Sequence, residues 1–220
     1  GRGWFWLHDA VAQESGKTTV MLGQFDKGGD DALCFQNVGA WLADIEMTAT
    51  GPQGGNYQKL PDFGEGVFYG ASVMTEGDKL YLYGVKDKGT VKDSLLARVP
   101  KTEFSNPSSW EFFDGEDWSK NSSEARPITT DVSYEYSVHR AQNGDYVMTS
   151  QGGAFSPRVE IRKASSPQGP WSEPVTVWTV PEQNTTDISY NAKAHPELSD
   201  ERGLLISYNM NSLSWERNLE

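Results

Sequence analysis

The chain has 220 residues, a net charge of −12 and a hydrophobic share of only 36%. That acidic balance excludes a nucleic-acid binder, whose phosphates demand a basic surface, and no stretch approaches the roughly eighteen apolar residues of a membrane span. Eight Trp, nine Tyr and nine Phe make the apolar share aromatic, and 22 Gly with 11 Pro imply many turns, which favours an all-β domain.

The first element is "WLHDAVAQESGKTTVMLG" (6–23): an extended run, a polar turn and a short β-rich run. "DKGGDD" (26–31) lacks EF-hand spacing and reads as a solvated hairpin loop. A third run, "ALCFQNV" (32–38), contains Cys34, the only cysteine. Its apolar setting marks a buried structural thiol, and a single cysteine rules out a disulfide framework or a four-Cys zinc site. Trp41 follows. The next hairpin, "VFYGASVMTEGDKLYLYG" (67–84), leads to "SLLARV" (94–99), one short turn in "SNPSSW", then Trp110 and "WEFFDG". The third, "SYEYSVHRAQNGDYVMTS" (133–150), leads to "VEIRKA" (159–164), Trp171 and "EPVTVWTV". The fourth is "AKAHPELSDERGLLISYN" (192–209).

Aligned without gaps on Gly23, Gly84, Ser150 and Asn209, the four hairpins place their turns together as "ESGK", "EGDK", "QNGD" and "DERG". Each turn is polar and holds a glycine, as tight hairpins require. Four strands per repeat of about sixty residues is the pattern of a β-propeller blade, with the recurring Trp packed between blades. The expected fold is therefore a single all-β propeller domain over 1–220, with four-stranded antiparallel blades starting near residues 4, 65, 131 and 190. About three and a half blades are present, and a closed ring needs at least four. The opening inside a strand suggests a fragment of a longer protein.

In a propeller the innermost strands share a central channel, so aligned positions converge. One column reads Asp9, Gly70, Tyr136 and His195; the column before it reads His8, Tyr69, Glu135 and Ala194. Paired carboxylates at such a channel suit glycoside hydrolysis, one assisting the leaving oxygen and the other activating water or attacking the sugar. Asp9 is the candidate base and Glu135 the candidate acid. The structural alternatives are a strand-ordering Asp9 and a Glu135 paired with Arg140 or Lys193. His195 is a candidate to hold a substrate hydroxyl, tune a carboxylate or bind a metal. His8, beside Asp9 on an extended strand, should face the other way and be structural. Trp6, Tyr69, Tyr136, Tyr190 and Asn191 are the candidate substrate-binding residues, the aromatics by stacking on sugar faces. No G-x-S-x-G, P-loop, G-x-G-x-x-G or H-E-x-x-H motif is present. Two sequons, Asn121-Ser-Ser and Asn184-Thr-Thr, hint at a secreted or periplasmic protein.

The motifs "ARVPKTEFSNPSSWEFFDGEDW" (97–118), "SSPQGPWSEPVTVW" (165–178) and "YNAKAHPELSDERGLLISYNMN" (190–211) resemble a family of secreted bacterial and fungal proteins known only as domains of unknown function. The resemblance implies a five-bladed propeller related to arabinanase and levansucrase-type glycoside hydrolases. It implies a carbohydrate partner, arabinan-like furanosides among them, and three inner-strand carboxylates, of which Asp9 and Glu135 match two and Gly70 departs. Asp9 could then be the pKa-tuning carboxylate. His195 matches a histidine that sits near a central metal in arabinanase-like propellers, so a channel Ca²⁺ or other ion is possible, although no cofactor is required. The alternative function is a non-catalytic, lectin-like propeller.

Overall fold

The computed structural model describes residues 3–13, 16–28, 35–89, 91–153 and 155–213. Cys34 and residues 29–31 of the 26–31 loop lie outside them. The described residues form four consecutive antiparallel sheets and no α-helix. The first sheet runs β1 (Trp4–Ala12), β2 (Thr18–Lys27), β3 (Phe35–Thr48) and β4 (Gly51–Lys59) in chain order. The second holds β5 (Val67–Glu76), β6 (Lys79–Asp87), β7 (Lys92–Pro100), β8 (Glu111–Phe113) and β9 (Trp118–Ser119), while β10 (Thr129–Thr130) pairs beside β8 on the free edge of β7. The third is β11 (Ser137–Arg140), β12 (Tyr146–Gln151), β13 (Arg158–Ala164) and β14 (Val175–Thr179). The last hairpin is β15 (Asp187–Ala194) and β16 (Ile206–Ser212). Among the described residues no helix is long and apolar enough to cross a membrane.

Among the described residues the expected hairpins, third runs and fourth runs map onto strands, except that β11 begins at Ser137, so Glu135 and Tyr136 precede the inner strand expected to carry them. Turn chemistry explains the hairpins: Gly77 and Gly144 take positive φ, where a side chain is strained. Trp41 does not follow the third run as expected; it lies within β3, which is longer than the pattern suggested. Trp110 does pack centrally. It is fully buried, stacks on Phe63 and Phe104, and donates its indole N–H to the Phe104 carbonyl. The main core runs from Met21 of the first sheet through Leu80, Leu82 and Leu96 of the second to Met148 of the third. Side-chain alternation separates the faces of β2: Met21 joins this core, whereas Val20 and Leu22 form a small cluster with Ala43.

What joins consecutive sheets is a repeated hydrogen bond. The first strand of each sheet is an edge strand, with backbone N–H groups that its own sheet does not use. Val73 N–H donates to Asp9 Oδ2 at 2.6 Å, Val138 N–H to Ser72 Oγ at 3.0 Å, and Ala194 N–H to Ser137 Oγ at 2.8 Å. Each sheet thus supplies an acceptor to the first strand of the next. These bonds also correct the column of aligned residues. The level set by the hydrogen bonds is Asp9, Ser72, Ser137 and then Lys193, beside Ala194; it is not Asp9, Gly70, Tyr136 and His195. Register shifts between Leu7 and Ala10, Tyr69 and Ser72, and Tyr190 and Lys193 disturb the inner strands. The turns differ in length as well: residues 77–78 close the second hairpin, and 195–205 the fourth. A gap-free alignment absorbs neither difference.

Both sequons have a local explanation. Asn121 Oδ1 accepts from the amide and hydroxyl of Ser123, and Asn184 Oδ1 from those of Thr186. An Asn two residues before a Ser or Thr is here a turn-forming device.

Ser72→Ala should lower stability by roughly 1–3 kcal/mol, because it strips a buried amide of its acceptor. Urea unfolding measures this as a lower midpoint at unchanged slope. An unchanged midpoint would mean that the inter-sheet bond contributes nothing.

Candidate functional site

Glu135 lies just before β11, and polar side chains from two other first strands, β1 and β15, approach it. Tyr136 is fully buried, with its hydroxyl on the Gly84 carbonyl and Ser94. Its neighbour Glu135 lies in the bend that leads into β11. Asn191 sits in the β15 register shift at φ 57, a left-handed conformation that asparagine tolerates. The backbone after it is held by Ala192 N–H donating to Gln151 Oε1. From there the Asn191 amide donates to Glu135 Oε1 at 2.9 Å, and Lys193 Nζ lies 2.9 Å from Oε2. His8 enters from the register shift in β1, with Nδ1 4.0 Å from Glu135 Oε1.

The environment is half closed. Glu135 and Lys193 keep 16% and 22% of their side-chain surface, and the His8 side chain keeps none. The His8 ring lies 4.3 Å from Phe68 and 6.1 Å from Tyr134, and neither nitrogen has a hydrogen-bond partner. Burial, helped by the Lys193 charge, depresses its pKa to about 3, so the imidazole is neutral. Burial and then the Glu135 charge push the Tyr190 hydroxyl up. Tyr134 is raised by burial and next by the Asp87 charge. An aromatic run extends outward from here, Tyr134 to Phe25 to Trp6 and Phe35, the last two partly exposed.

The residues expected from sequence divide as follows. Glu135 and Asn191 come together, the Tyr190 hydroxyl feels the Glu135 charge, and Trp6 lies at the end of the adjoining aromatic run. Tyr69 and Tyr136 are not available to a ligand: both are completely buried in the core. Asp9 is committed elsewhere, its Oδ1 to Ala10 N–H and its Oδ2 to Val73 N–H. Gly70 offers no carboxylate because Met21 fills the space: a Cβ there would lie 3.0 Å from the methionine sulfur. His195 touches neither carboxylate. Its Nε2 is 2.7 Å from Ser207 Oγ and its Nδ1 3.6 Å from exposed Glu197. A hydroxyl and one carboxylate do not make an ion cage, and among the described residues no three His, Cys, Asp or Glu side chains converge on a metal position. Lys193 pairs with Glu135, whereas Arg140 pairs with Glu76.

His8, expected from sequence to be structural, approaches this cluster from the first sheet. Strict alternation assigns it to the face opposite Asp9 and away from any site. The register shift breaks that alternation, so Asp9 reaches the neighbouring sheet while His8 faces Glu135. The only signal available in the sequence was its adjacency to Asp9.

No curated protein matches the sequence. Among solved structures, a candidate hydrolase from Bacteroides ovatus ATCC 8483 superimposes with a TM-score of 0.77 at 20% identity. The match covers 100% of this chain and 58% of that one, so the chain spans a little over half of its length. At that identity the likeness concerns the fold. An α-L-arabinofuranosidase from Podospora anserina, solved with cellotriose, matches at a TM-score of 0.44 and 13% identity over 97% of this chain and 93% of that one, too distant to carry weight. The family assignment rests on the whole length: residues 1–220 match one family model, and the chain belongs to the family described as Domain of unknown function (DUF5005).

Proposed function

We propose that the four sheets are successive blades of a β-propeller, and that Glu135 marks a carbohydrate site at the mouth of its channel in a domain of the glycoside hydrolase type. The observation that carries this reading is the convergence on Glu135 of the Asn191 amide and the Lys193 ammonium from β15, beside a partly exposed aromatic run ending at Trp6. Sugars are recognised by that combination: hydroxyls exchange hydrogen bonds with a carboxylate, an amide and an ammonium, while the apolar ring face stacks on an aromatic. A role on polysaccharides also fits a protein that works outside the cytoplasm.

Hydrolysis needs two carboxylates about 5–9.5 Å apart. Glu135 supplies one, and Asp9 is held by two backbone amides. The second carboxylate for a hydrolase therefore comes from outside the cluster that the described residues form. The engagement of Asp9 favours a second reading, in which the domain binds glycan without cleaving it.

In the full-length protein, Glu135→Gln should lower hydrolysis of arabinan-type or other cell-wall oligosaccharides at least a hundredfold while preserving most of the affinity. Product release and calorimetric binding measure the two effects separately. Binding by the unmodified protein with no product over long incubation would select the lectin-like reading. Wild-type hydrolysis by the variant would reject Glu135 as the working carboxylate.

His8 gives a pH signature. Its folded pKa, about 3, lies below its ordinary 6.5, so the unfolded chain takes up a proton that the folded protein refuses. The stability that neutral His8 contributes is complete above pH 6.5 and is lost as pH falls toward 3, at up to about 1.4 kcal/mol per pH unit. The groups facing it are Glu135 and Lys193, with Phe68 and Tyr134 as its aromatic walls. Denaturant melts of the protein and of His8→Phe between pH 7 and pH 4 should diverge, the variant having the flatter profile; parallel profiles would contradict a buried neutral imidazole.

A further inference from the structure

One side chain of the Glu135 cluster is idle in the arrangement observed. The His8 imidazole is fully buried and neither nitrogen is hydrogen-bonded. Buried polar groups are nearly always satisfied, since an orphaned one gives up its hydration for nothing. A phenylalanine would fill the same gap between Phe68 and Tyr134 without that cost. The ring is also closely fitted: a Cβ on Gly23 would lie 2.7 Å from Nε2. From this fixed seat Nδ1 faces Glu135 Oε1 at 4.0 Å, about an ångström beyond a hydrogen bond. The carboxylate is drawn instead to the Asn191 amide and the Lys193 ammonium.

We propose that His8 is a positioning residue for Glu135: when a ligand hydroxyl engages the Asn191 amide or the Lys193 ammonium, the released carboxylate turns to His8 and Oε1 accepts the Nδ1–H. The inference rests on the carbohydrate reading of the cluster. A hydroxyl suits the exchange because it accepts from an amide or ammonium while donating to a carboxylate. A neutral imidazole suits it as well, having one N–H to give and no net charge to compete with Lys193. The bond missing from the free protein then forms only in the complex, so His8 adds to affinity at the expense of the free protein's stability.

Arabino- and cello-oligosaccharides, titrated by calorimetry into the full chain, are the probes. His8→Phe should leave the melting temperature at neutral pH unchanged or higher and weaken the best-bound probe about tenfold. His8→Asn, which keeps a donor, should restore part of the loss. In the unmodified protein, ¹⁵N NMR of the imidazole should show the Nδ1 signal moving as the probe saturates. Wild-type affinity in His8→Phe, or a stationary Nδ1 signal at saturation, overturns the inference; if His8→Phe fails to fold, the NMR titration decides. Full binding in His8→Phe, with the unmodified chain binding the probe, removes only the role of His8. Binding of no probe by the unmodified chain removes the carbohydrate reading and this inference with it.

Discussion

The arrangement of the molecule depends on how the free edge of each first strand is satisfied. An edge strand leaves backbone N–H groups without a ladder partner, and burying such a donor unbonded costs about 1–3 kcal/mol. Here the preceding sheet provides the acceptor each time, through Asp9, Ser72 and Ser137. The bonds are individually modest. Repeated at equivalent points, they fix the height of each first strand against the next, and that height decides which side chains meet. Val73, Val138 and Ala194 are the three donors, and the polar cluster around Glu135 lies just before them along the strands.

The same constraint separates the two carboxylates that the sequence offers as a pair. Asp9 serves the inter-sheet bond, so its charge is spent on backbone amides. Glu135 is left to side-chain partners that could exchange with a ligand. Around it the usual rules of a stable interior are relaxed: a histidine is buried with both nitrogens unbonded, and an asparagine adopts a left-handed backbone. In the core, Trp110, Leu80, Leu82 and Leu96 are completely enclosed, and Tyr136 satisfies its hydroxyl.

Much of the architecture was legible in the residues. Hairpin turns are local chemistry, so "EGDK" and "QNGD" identify their strands without reference to the rest of the chain. The third and fourth runs declare themselves by β-branched and aromatic content. Glu135, Asn191 and Tyr190 stood out as polar or aromatic groups at the start of inner runs. The sequence by itself thus determined an all-β chain of repeated antiparallel hairpins with one prominent inner glutamate. Tertiary structure alone decided that Tyr69 and Tyr136 are core, that Asp9 binds backbone, that His195 stands apart and that His8 faces Glu135. The physical reason is that strand level is the sum of turn lengths and register shifts, and a shift of one residue reverses the face of every side chain beyond it. Those shifts are set by contacts between sheets, which no local pattern of residues contains.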